Sequence, residues 1–206
     1  MKTLIFLCGL LFFCNLQAQK VVKKALVGSD TAYIQIDSQN CYQLELTTAQ
    51  TNEIVVEASI EGEYAKDLLV TLEKSGTTML INSGFHPNFL NPNDKLSAHK
   101  VISIALKIIV PAYKNVSIFG TNGNVDVEGK FENLKIRLSD GRCTLKNVEA
   151  MVNVETQKGD IFLSTDRGTI LARSNYGKVR KARIPSGPNQ YILNTVEGTI
   201  QLKKTK

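Results

Sequence analysis

Residues 159–171 read GDIFLSTDRGTIL. Gly159 precedes Ile161 and Leu163, and nine residues later Gly168 precedes Ile170 and Ala172. Extending that step in both directions gives Val116, Val125, Leu134, Cys143, Val152, Ile161, Ile170 and Val179. Two places beyond each lie Ile118, Val127, Ile136, Leu145, Val154, Leu163, Ala172 and Lys181. Fifteen of these sixteen residues are apolar, where the chain's composition would supply about seven, so the period is an internal repeat. The phase slips by three across Arg183–Asn189, where IPSGP intervenes, and resumes at Tyr191/Leu193 and Ile200/Leu202.

Two apolar residues separated by one position share one face of an extended segment, so each unit is a short strand with one buried side. A single strand of that kind cannot cover its own apolar face, whereas successive turns of chain stacked on one another can. The fold class expected is therefore all-β, a β-solenoid or β-helix-like coil of nine-residue units. Two units per coil would stack residues eighteen apart, and three would make a coil of twenty-seven. Charge favours the first. Arg142, Asp160 and Lys178 alternate in sign at that spacing, as do Arg137, Glu155 and Arg173, and Glu128 precedes Lys146 by the same interval. Opposite charges on adjacent strands stabilise the stack, like charges oppose it.

The preceding residues alternate as well. Ala32/Ile34/Ile36, Leu44/Leu46 and Ile102/Ile104/Leu106/Ile108 read as strands, as do the short runs at 54–56, 68–70 and 79–81. A weak helical turn is expected over Glu61–Asp67, and a long loop over GFHPNFLNPNDK between Ser83 and Ser97. Residues 1–18 have the positive start, apolar run and small terminal residue of a secretory signal peptide, with cleavage expected after Ala18. Lipidation at Cys14 is disfavoured, because Phe12-Phe13 stands where small residues belong. The remaining 19–206 are expected to form one all-β domain, an N-terminal β-rich part over 19–110 packed on a repeat part over 111–206.

LKIIVPAYKNVSIFGTNGNVDVEG, residues 106–129, resembles a passage of the bacterial adhesin-like β-strand-repeat family related to the autotransporter adhesin head domain called GIN. The resemblance spans roughly residues 25–202. It implies a β-helical fold and an adhesin-like or envelope-associated role, and it brings no catalytic residues with it.

Chemistry-bearing constellations are sparse. His86 and His99, with Asp94 between them, fall short of the three or four ligands a rigid metal site uses. The calcium-binding nonapeptide pattern is missing. No Gly-x-Ser-x-Gly occurs, and Cys143 occupies a core position of the repeat, where a thiol behaves as a small hydrophobe. A Cys41–Cys143 bridge is left open. Polysaccharide-cleaving activity, the enzymatic alternative, would need paired carboxylates over a groove. The candidates Asp126, Asp140, Asp160 and Asp166 read instead as turn and ladder residues, Asp140 facing Lys158 and Asp160 facing Arg142 and Lys178. We expect no catalytic, cofactor or metal site.

Residues 19–120 carry a net charge of −1 and residues 121–206 a net +6. Lys181 is the one polar member of the sixteen, and a charged amine does not stay unpaired in a dry core. The coil should therefore open there, or turn that rung to solvent, gathering Arg173, Arg180, Lys181 and Arg183 into a positive end. The expected partner is an envelope or surface ligand such as an anionic glycan or lipopolysaccharide phosphate. Nucleic acid is not expected of an exported chain, and no transmembrane segment is expected after residue 18. The function expected is that of an exported, non-enzymatic adhesin-like protein of the periplasm or cell surface.

Overall fold

A computed structural model describes residues 19–62, 68–86, 88 and 102–205. Residues 1–18, read above as a signal peptide, and Asp94, His99 and most of the Asn/Pro-rich loop lie outside the described residues. Among those residues every regular element is a strand. The strands are β1 Gln19–Leu26, β2 Tyr33–Asp37, β3 Gln43–Ala49, β4 Glu53–Gly62 and β5 Leu68–Ser75. Next come β6 Thr78–Phe85, β7 Ile102–Pro111, β8 Asn115–Gly120, β9 Asn124–Leu138 and β10 Arg142–Thr156. The chain closes with β11 Asp160–Thr165, β12 Thr169–Ser174, β13 Val179–Arg180, β14 Gln190–Thr195 and β15 Ile200–Lys204.

All fifteen strands join one sheet that runs in two series. One series is β5-β6-β2-β8-β9-β10-β14-β12 and the other β1-β4-β7-β3-β9-β10-β11-β15-β13. The long strands β9 and β10 belong to both, because each rounds a corner and pairs on two sides. A strand of one series and a strand of the other, joined by a turn, make a rung. In the first series Met79, Ile34, Val116, Leu134 and Val152 are register neighbours, and in the second Leu106, Leu44, Val125, Cys143 and Ile161. All ten are buried and meet in one core. From Val116 to Ser164 the register advances by eighteen residues, apart from the corner where Val148 and Glu149 face Gly129 and Lys130, so that Asn133 bonds Asn115 and Arg137 bonds Glu155. The first rungs reach much further along the chain: the β2 and β8 backbones are linked across about 82 residues, as in the Ser38–Phe119 bond with its separation of 81. The N-terminal part therefore supplies strands to the same stack by main-chain pairing. Its outermost members, β1, β4 and β5, pair antiparallel.

Beyond β11 the order of the stack departs from the order of the chain. Val152 neighbours Tyr191, and Tyr191 neighbours Ile170. Ile161 neighbours Ile200, which neighbours Val179. The last rung in sequence, β14/β15, thus lies between β10/β11 and β12/β13. Side-chain size explains the preference. Tyr191, Leu193 and Ile200 are fully buried in the inner rung, while Ile170, Ala172 and Val179 are left half-buried on the outer one. Burying a large apolar side chain contributes about 1.5–3 kcal/mol, so the rung with more apolar volume gains more by lying inside. The Tyr191 hydroxyl completes the fit, donating to the Val148 carbonyl at 2.6 Å with Thr165 Oγ1 3.2 Å away.

This order corrects three expectations. Arg142 does neighbour Asp160, but Lys178 does not: the Thr199 amide takes that place, donating to Asp160 Oδ1 at 2.7 Å. Glu155 bonds Arg137, whereas Asn194 separates it from Arg173. Lys158 pairs with Glu197 at 3.8 Å rather than with Asp140. Two local expectations change as well. Gly84 and Phe85, read as loop, extend β6 by pairing with Leu69 and Leu68. Glu61 and Gly62, read as the start of a helical turn, end β4 by pairing with Ser103 and Ile102. The rest of that turn, residues 63–67, lies outside the described residues.

Lys181 escapes the core through a one-residue slip. Arg180 and Lys181 are both exposed, after which Ala182 and Ile184 take the inward positions and Arg183 the outward one. The chain then crosses the end of the stack, where Pro185 accepts from the Gly168 amide at 2.9 Å and Asn189 from the Thr169 amide at 2.8 Å.

Candidate functional site

The turns between the two series share a four-residue pattern. Thr156-x-x-Gly159, Ser174-x-x-Gly177 and Thr195-x-x-Gly198 carry it in full, and Gly120-x-x-Gly123 and Leu138-x-x-Gly141 keep the glycine. In each full copy the hydroxyl side chain stitches its turn. Thr156 Oγ1 donates to the Gly159 carbonyl at 2.6 Å, and Ser174 Oγ to the Gly198 carbonyl at 2.8 Å. Thr195 Oγ1 accepts from the Gly198 amide at 3.0 Å, and Ser174 Oγ from the Gly177 amide at 2.9 Å. The glycines themselves stack. A methyl on Gly123, Gly141, Gly159, Gly198 or Gly177 would run into the main-chain carbonyl of Cys41, Gly123, Gly141, Gly159 or Gly198 respectively. Each backbone needs the space that its neighbour's side chain would fill. Gly168, the other glycine of the quoted stretch, serves the opposite corner, where the Tyr191 ring fills its missing side chain's place.

Beside this column of turns runs a groove of about 680 Å³. Its wall is a ladder of outward-facing residues, Phe119, Arg137, Glu155, Asn194 and Arg173, each one strand from the next. Its other side is formed by the turn residues Thr121, Ser139, Gln157, Val196 and Asn175, with Gln39 at one end. Arg137 Nε donates to Glu155 Oε2 at 2.8 Å, and Asn153 Nδ2 lies 3.4 Å from the other carboxylate oxygen. Rung-to-rung bonds occupy the turn main chain: the amides of Ser139, Gln157, Val196 and Asn175 donate to the carbonyls of Gly120, Leu138, Thr156 and Thr195. Between these rungs a ligand in the groove therefore meets side chains, and unpaired strand edge lies only at the outer side of β12, which pairs with β14 alone among the described strands.

The four basic residues singled out from sequence all lie on the outermost rung and are exposed. Arg173 projects from β12 and ends the groove ladder. Arg180 projects from β13, in register with Gln201 on the other series, and Lys181 and Arg183 follow it. The structure thus brings Arg180, Lys181 and Arg183 together along the chain and sets Arg173 on the opposite side of the core. Sequence reading missed the groove. The signal available was the Thr/Ser-x-x-Gly recurrence at 156–159, 174–177 and 195–198.

The acidic candidates are each engaged locally. Gln43 Nε2 donates to Asp126 Oδ2 at 2.7 Å, the Gly141 amide to Asp140 Oδ1 at 2.6 Å, and the Thr199 amide to Asp160 Oδ1. Arg167 Nε donates to Asp166 Oδ2 at 2.9 Å, and that bond holds the Asp166 carboxyl below its usual range. Cys41 and Cys143 are free and buried. Burial pushes the Cys41 thiol up to about 11, against a lesser opposing effect of the Ser83 hydroxyl 3.1 Å away. Burial raises the Cys143 thiol as well. His86 is exposed, and no group of three metal-ligating side chains occurs among the described residues.

No family model and no curated protein matches the chain. Solved structures do. A candidate cell adhesion protein from Clostridium sporogenes aligns over 92% of this chain and 100% of its own, with a TM-score of 0.62 and 10% identity. A candidate adhesin from Bacteroides fragilis, 14% identical, covers 91% of this chain and 98% of its own at a TM-score of 0.39. Another, from Parabacteroides merdae, is 13% identical over 91% and 97% at 0.34. At 10% identity over essentially both whole chains, what the first comparison establishes is a shared all-β fold.

Proposed function

We propose that this chain is an exported, non-enzymatic β-solenoid that binds an envelope or surface ligand in the manner of an adhesin. The observation that carries the reading is the full-length likeness to a candidate cell adhesion protein. It is supported by the parallel stack, which spends its sequence on a rigid core and leaves ladders of exposed side chains. The adhesin-like family resemblance of residues 106–129 points the same way, and export rests on the leader-like order of residues 1–18. No helix of the described residues is long and apolar enough to cross a membrane. The exposed Arg173, Arg180, Lys181 and Arg183 are the proposed contacts for an anionic polymer.

The test incubates the purified chain with envelope polysaccharides and lipopolysaccharide, then measures retention and product formation. Retention without new reducing ends or unsaturated sugars is expected. Cleavage products, or no retention on any envelope polymer, would overturn the reading. Intact-mass analysis of the exported protein should find Gln19 at the N-terminus, and a mass retaining Met1 would remove cleavage after Ala18 from the proposal.

A further inference from the structure

We infer that the groove beside the stacked turns is an oligosaccharide site, and that it takes an extended acidic glycan with one acidic group at Arg173. The inference rests on the binding function just proposed and names its site and ligand class. Three features argue for it. The ladder from Phe119 through Arg137, Glu155 and Asn194 to Arg173 spans four strand spacings, ~19 Å at ~4.8 Å each, a length suited to several sugars laid along the stack. Its side chains are of the kinds that pair with sugar hydroxyls and carboxylates. Gln157, Asn194 and Arg173 make no side-chain hydrogen bond to other described residues, whereas Arg137 and Glu155 neutralise each other at 2.8 Å. The free positive charge in the ladder is therefore Arg173, and its guanidinium is suited to bidentate recognition of a carboxylate.

The same features disfavour an extended peptide. Strand addition needs unpaired main-chain groups, and peptide grooves need apolar pockets for anchor side chains. Here the turn amides named above are committed between rungs, and among the described residues Phe119 is the one aromatic side chain lining the groove.

The experiment measures binding of a galacturonic acid hexamer by calorimetry. A neutral β-linked glucose hexamer and a hexa-aspartate peptide serve as comparisons. The galacturonate is expected to bind best. Arg173→Glu should weaken it at least about tenfold, and Gln157→Ala/Asn194→Ala should weaken it with unchanged melting temperature. Arg180→Glu/Lys181→Glu/Arg183→Glu, at the positive end proposed above as a further anionic contact, should weaken it less than Arg173→Glu does, and Lys24→Glu, exposed on β1 at the far end of the stack, should change it less than about twofold. Equal binding of hexa-aspartate, failure of the wild type to bind the hexamer, or loss only in the triple variant overturns the groove assignment. In that event, retention on envelope polymers without cleavage would still leave the adhesin-like function standing, so the two failures are separable.

Discussion

At the scale of single residues, the strictest requirement is the absence of a side chain. Gly198 packs so closely on the Gly159 carbonyl that a methyl group cannot be added without moving main chain. Gly198→Ala should therefore cost about 2–4 kcal/mol. Gly84→Ala, whose added carbon meets only Asn40 at 3.9 Å, should cost less than about 1 kcal/mol; comparison of urea midpoints checks both. Period-two alternation makes a second contrast. Ile161 is wholly buried, while its neighbour Phe162 faces outward with the Arg142 guanidinium 5.4 Å from its ring. Ile161→Asp should unfold the chain or lower its melting temperature steeply, and Phe162→Asp should be mild. The thiols set a pH dependence. Cys41 titrates near 9.0 when unperturbed and near 11 in the fold, so the unfolded chain ionises first. Stability contributed by the neutral thiol is complete below pH 9 and declines as pH rises toward 11. Cys41→Ser should lessen that alkaline decline in denaturant titrations, and neither Cys41 nor Cys143 should react with an alkylating reagent at pH 8.

At the scale of elements, the strands were legible because alternation states which side chains point inward. Val116, Val125, Leu134, Cys143, Val152 and Ile161 all do, and eighteen-residue stacking followed from the signs of Arg137 and Glu155. Alternation says nothing about a slip inside a rung, and Lys181 is where that mattered. The position was recognisable as a fault, but its resolution depended on Ala182 and Ile184 exchanging roles with their neighbours. Lys181→Ala should accordingly leave stability within about 0.5 kcal/mol. Ile184→Asp, at a half-buried inward position, should destabilise by about 1–3 kcal/mol, and paired thermal melts distinguish the two.

At the scale of the molecule, what the sequence concealed was the order of the rungs. Apolar spacing identifies core-facing residues without naming the neighbouring strand, and the charges at Lys178 and Arg173 suit a purely sequential stack. The available hint was volume: Tyr191, Leu193, Ile200 and Leu202 carry more apolar bulk than Ile170, Ala172, Val179 and Lys181. The groove was hidden for the same reason, since its ladder passes from Glu155 through Asn194 to Arg173 only in the observed order. The concealed alternative is testable. Deleting residues 190–206 should let β12 and β13 dock on β10 and β11, restoring Glu155–Arg173 and Asp160–Lys178 neighbours. Spin labels at positions 135 and 171, three strand spacings apart in the full chain, should then approach by about 5 Å. An unchanged distance would show that the outer rung holds its place unaided.

The interior position of β14/β15 also bears on biosynthesis. A repeat array whose layers follow chain order can consolidate while it is being made, each new layer closing on the last. Here a layer made after β12 and β13 belongs inside them. Until it arrives, the nascent chain has either a vacant slot or a provisional closure between Ile161 and Val179 that the arriving segment must displace. The segment carrying β14 and β15 thus acts as a keystone, set after the stones on both sides of it.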